Sequence, residues 1–186
     1  MNASTLIAFF LIHVGLLMAF PALWLTWRAL APGWIAAAER GVSGRPVLTP
    51  VVGAIVGGLW FVVSVGLVAA PPAPAKFVGV IGFLTLFLYA MAGVSAFASH
   101  LGRRLPSSAD ADRPWKATLR GGIALELTWV LPLLGWFILL PLSLIEGVGA
   151  ATLGLFGVAR GAAPAPPVET DYARFERSAA PAALHA

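Results

Sequence analysis

The chain has 186 residues, of which 59% are apolar and 11% charged, with a mean hydropathy of +0.88, whereas an ordinary soluble domain carries about 25% charged residues. A water-soluble fold could not bury that much apolar surface, so the composition predicts an all-α integral membrane bundle, and the lack of cysteine excludes disulfides and thiolate metal sites. The net charge of +4 and pI near 10.4 do not point to nucleic acid, because the basic residues flank apolar runs, where topology and anionic lipid account for them.

A first span is expected over residues 5–27, kinked at Pro21, where proline removes a backbone hydrogen bond. Trp24, Trp27 and Trp34 follow where an interfacial belt would lie. No Lys or Arg precedes Arg28, so this segment reads as a retained helix and not as a cleaved leader. Residues 28–50 contain APGWIAAAERG, a short surface helix with Pro32 near its start and Gly41 as its stop. Spans over 51–70 and 77–98 form an antiparallel hairpin around the proline-dense PPAPAK.

A polar loop covers 99–120, and the apolar stretch 121–159 follows. As one helix that stretch would reach about 58 Å, nearly twice a ~30 Å hydrocarbon core. A tight hairpin with its turn at PLLGW, Pro132 to Trp136, resolves the excess and gives spans 119–134 and 137–159; a re-entrant hairpin fits the same residues. The bundle thus occupies 1–160 with five segments. The Ala/Pro-rich tail 161–186 is too poor in large apolar residues to pack, and is expected to be disordered.

Charge counting orients the chain. With five spans and the N-terminus outside, eleven of the twelve Lys and Arg fall inside and only Lys76 outside, whereas four spans split them eight to four. The tail is therefore expected in the cytoplasm. Ten Arg against two Lys, amid abundant Ala, Gly and Pro, suggest a GC-rich bacterial genome and hence a cytoplasmic (inner) membrane.

Three ionisable residues fall inside the proposed spans: His13, Glu126 and Glu146. A charge at the bilayer centre costs at least ~2.5–3.5 kcal/mol, so such groups usually face a protein interior or a water path. Counted from a turn at Trp136, both glutamates lie about 15 Å deep and His13 roughly 12 Å deep from the same side, so the three could share one level and handle a proton or cation. The plainer account is two neutral glutamates and a histidine satisfied locally. Arg103, Arg104, Arg113, Lys116 and Arg120 are candidate contacts for lipid headgroups or a cytoplasmic partner, or simply determinants of topology.

His13 and His100 stand ~22 Å apart in depth, which excludes a bis-histidine haem, and no spacing suits a metal. The glycines of GVGAATLG lack the strand context of a dinucleotide loop; with Gly53 and Gly57 they suit close helix packing. No cofactor is expected, and no catalytic set appears. The expected class is a structural or accessory membrane component whose partners are the bilayer and either a second copy or a membrane complex. The alternative is a small proton- or cation-coupled transporter or channel using Glu126, Glu146 and His13.

The GRRL element after the third span, followed by LPLLGWFILLPLSLIEGVGAATLGLFG, resembles small uncharacterised bacterial multi-pass membrane domains, some attached to bactofilin-like, polymer-forming proteins. The resemblance covers roughly residues 50–157. The chain departs from it in having no β-repeat segment, in Glu126 and Glu146, and in the Pro-rich tail. It implies membrane embedding but no activity and no catalytic residues.

Overall fold

The computed structural model describes residues 2–105, 113 and 115–159, and among these there is no strand. Six helices follow one another: α1 (Ala3–Leu30), α2 (Pro32–Gly44), α3 (Leu48–Ala69), α4 (Ala73–Arg103), α5 (Trp115–Trp129) and α6 (Leu140–Ala159), with a π-helical turn at Gly135–Leu139 leading into α6. The side chain of Asn2 caps α1 by accepting from the Thr5 N–H at 3.1 Å. α1 runs unbroken through Pro21. Pro32 and Pro74 sit in the first turns of α2 and α4, where a missing N–H costs nothing. The expected tail, 161–186, lies outside the described residues.

Four described helices are long and apolar enough to cross a membrane: 4–30, 48–69, 73–103 and 135–157. The segment expected over 119–134 behaves differently. Its helix, α5, has 15 residues, about 22 Å, and carries Lys116, Arg120 and Glu126. It ends at Trp129, and the chain turns at 130–134 before α6.

Helix α4 is the axis of the bundle, with α3, α5, α6 and α2 packed around it. Apolar burial cannot hold helices together in lipid, so close backbone approach does, through glycine. A methyl group on Gly93 would overlap the Gly147 carbonyl, and one on Gly147 would overlap that of Ala90. Gly53 and Gly149 lock α3 to α6 in the same way, and Gly102 and Gly121 lock α4 to α5. α2 is no surface helix. Ile35, Ala38 and Val42 are buried against Ala92 and Ala96 of α4 and Ala150 of α6, because Gly154 leaves room for the α2 backbone at Ala38.

The tryptophans expected in an interfacial belt point inward. Trp24 is fully buried, its ring over Gly122, where a Cβ would come within 2.6 Å of it. It stacks on Phe20 at 6.1 Å and meets Trp129 edge-on at 6.0 Å. Trp34 donates from Nε1 to the Ala151 carbonyl at 2.8 Å and lies 5.7 Å from Tyr89. Position along the chain suggested the belt; three-dimensional packing against small residues gives these rings a partner inside.

Candidate functional site

Most basic side chains gather at one end of the bundle, formed by the C-terminus of α1, the C-terminus of α4, the N-terminus of α5 and helix α2. Arg28, in the last turn of α1, donates from Nη1 to Ser99 Oγ at 2.6 Å and to Thr118 Oγ1 at 2.9 Å. Those two hydroxyls are 2.7 Å apart. Ser99 donates to the Ser95 carbonyl at 2.9 Å, so Thr118 is the donor between the pair, since Ser99 has only one hydrogen. Ser95 in turn donates to the Trp24 carbonyl at 2.9 Å. One polar thread therefore ties α1, α4 and α5 together, and every hydroxyl proton in it is used.

Beside it, Arg103 of α4 is ion-paired with Glu39 of α2, which is buried. Arg120 donates from Nη2 to the Gly102 carbonyl at 2.9 Å. Of the five basic residues singled out in the 99–120 region, Arg103 and Arg120 thus join helices within the chain, while Arg104 and Arg113 are exposed and Lys116 is half-buried.

Glu126 is 4% exposed, and neither carboxylate oxygen has a hydrogen-bond partner among the described residues. It lines a cleft of about 120 Å³ with Leu17 and Phe20 of α1, Trp129, Trp136 and Leu140. The indole Nε1 of Trp129, which also lines the cleft, is buried without a partner among the described residues as well. A buried polar atom left unpaired costs about 1–3 kcal/mol, so this cleft has unmet demand for both an acceptor and donors, and its volume admits a few waters.

The three intramembrane residues do not converge. Trp24 lies against Gly122; from there Glu126 is four residues along α5 and His13 eleven residues back along α1 in the same direction, which leaves them about 10 Å apart in depth. Glu146 is on a different wall. It is turned about 120° around α6 from Leu140, which lines the cleft, and α5 and α6 pack chiefly against α4. Glu146 is half-buried and has no hydrogen bond among the described residues.

The thread through Arg28, Ser95, Ser99 and Thr118 was missed in the sequence, and so was the Glu39 ion pair. The available signal was polarity within apolar helices: Ser95 and Ser99 are spaced by one turn on a single face of α4, at the depth of an arginine ending α1. Comparison with protein families, curated proteins and solved structures gives no match.

Proposed function

We propose that this chain is a non-catalytic structural or accessory component of a bacterial cytoplasmic membrane, acting by assembly with itself or with a larger membrane complex. The observation that carries the reading is the backbone contact at Gly53–Gly149, Gly93–Gly147 and Gly102–Gly121. Seams closed in this way leave no side-chain layer to slide, which suits a fixed scaffold better than the rocking of one helical unit against another that alternating access needs. The test is single cysteines at Phe10, Leu11, Ile55 and Leu59, all exposed, in a chain that has no cysteine of its own. Cross-linking in native membranes is expected to give discrete adducts larger than the monomer. Monomer alone at all four positions, with lipid adducts only, would sink the proposal.

The unpaired Glu126 carboxylate favours one second reading, a proton or cation site. It uses Glu126 without Glu146, which lies on a different wall. Glu126→Gln should then abolish a measurable flux in proteoliposomes and Glu146→Gln should leave it intact. Equal flux in both variants removes this reading.

A further inference from the structure

We propose that the cleft between α2 and the C-terminal half of α6 binds the phosphate group of an anionic phospholipid. The cleft has a volume of about 410 Å³ and lies at the basic end, lined by Arg40 and Arg45 together with the apolar side chains of Leu153 and Phe156. Gly41 and Gly44 keep it open; beside Gly44 there is nothing within 4 Å of where a Cβ would stand.

Arg40 Nη1 is buried and has no hydrogen-bond partner among the described residues. In contrast to Arg28, Arg103 and Arg120, it meets no acceptor from a neighbouring helix. The nearest carboxylate in sequence, Glu39, is already taken by Arg103. A buried guanidinium donor that no described residue receives leaves room for an acceptor bound in the cleft. Two arginines beside apolar side chains suit a phosphate oxygen pair with an acyl chain against the apolar lining, since the planar fork of Arg matches phosphate and its stem tolerates apolar surroundings. Basic pockets between helices at a membrane face are where lipid headgroups dock. An inorganic phosphate offers the same oxygens without the chain; the apolar lining of Leu153 and Phe156 and the position at the ends of the spans favour the lipid.

Charge at this end also orients the chain in the membrane, and any basic residue would serve that purpose. Gly44→Leu separates the two roles. It fills the cleft while leaving both arginines in place.

The experiment uses the full chain, stripped of lipid in detergent and titrated with phosphatidylglycerol or phosphatidylcholine, with bound lipids counted by native mass spectrometry. The wild-type chain should retain one phosphatidylglycerol roughly tenfold better than phosphatidylcholine. Arg40→Gln with Arg45→Gln should erase that preference, and so should Gly44→Leu, with thermal unfolding of each variant confirming the fold. Inorganic phosphate binding the stripped protein, with the same dependence on Arg40 and Arg45 and with no phosphatidylglycerol preference, upholds the anion site and assigns it a soluble ligand. Equal phosphatidylglycerol retention by the wild type, the double variant and Gly44→Leu overturns the proposal.

Discussion

Gly93 and Gly147 meet so closely that a Cβ on either would overlap the backbone of the other helix. Gly93→Ala pushes a methyl group into the Gly147 carbonyl, and backbone has no rotamer with which to yield. Overpacking of this kind costs about 1–3 kcal/mol or more, which should appear as a clear fall in thermal stability in detergent. Gly58→Ala is the matched control: a Cβ there has nothing within 4 Å, and alanine is a better helix former than glycine by ~0.5–1 kcal/mol, so that variant should be neutral or stabilised. Equal effects at the two sites would mean that the α4–α6 seam is looser than described. The Arg28 thread makes a second prediction at this scale. Ser99→Ala removes an acceptor from Arg28 and from Thr118 together, and should destabilise the chain by about 1–3 kcal/mol, whereas Ser43→Ala, on an exposed hydroxyl bonded only within α2, should do little. The packing role of the small residues could be read in the sequence because glycine has few other uses within an apolar helix. The thread could not, because its partners are 71 and 90 positions apart and a hydroxyl carries no mark of which helix it will face.

Among elements, those whose ends are written in proline were the most legible. Pro32, the Pro71–Pro74 cluster and Pro132 each fall at a helix start or in a turn, since proline lacks the N–H that a helix interior uses, whereas α1 continues through Pro21. The environment of α2 was hidden. Its sequence is amphipathic enough for a bilayer surface, and only the narrow groove left by Gly154 turns its apolar stripe toward α4 and α6. The consequence is measurable. Ala38 is fully buried and Ala36 exposed, so Ala38→Leu should destabilise by about 1–3 kcal/mol through overpacking while Ala36→Leu should not. A surface helix would tolerate the first and suffer little from the second, so parallel thermal unfolding of the two variants decides between these environments. The separation of Glu126 from Glu146 was hidden for a related reason. Depth along a helix can be counted from a sequence, but the direction a residue faces depends on which neighbours pack where, and α4 stands between α5 and α6.

At the scale of the molecule, charge and length together set how the chain sits in a membrane. The described basic residues other than Lys76 lie on α2, at the ends of α1, α4 and α5, or in the connections beside them, so that end is expected in the cytoplasm and the α3–α4 turn outside. Helix α4 has 31 residues, about 46 Å, well beyond a ~30 Å core. With Lys76 taken as the level where its far side leaves the hydrocarbon, a core measured from there ends near Ala96, between Ser95 and Ser99 of the Arg28 thread and short of the Arg103–Glu39 pair. Whether the turn at 130–134 reaches the same far boundary follows from the α4–α6 seam. Gly147 faces Ala90 and Val94; from that level Lys76 is about 24 Å away and Gly135 about 18 Å, which leaves the turn within roughly 6 Å of the Lys76 level. The short helix α5 is therefore expected to carry the chain to the outer face even though it falls below the length of a full crossing, its first turns then standing outside the hydrocarbon. Cysteines at Pro71 and Leu133 should both react with an impermeant thiol reagent applied to intact cells, and cysteines at Gly44 and Leu105 only after lysis. A Leu133→Cys chain that stays unlabelled in intact cells, while Pro71→Cys reacts, would place the turn within the bilayer and make 121–159 a re-entrant hairpin; labelling of Gly44→Cys from outside would invert the whole orientation.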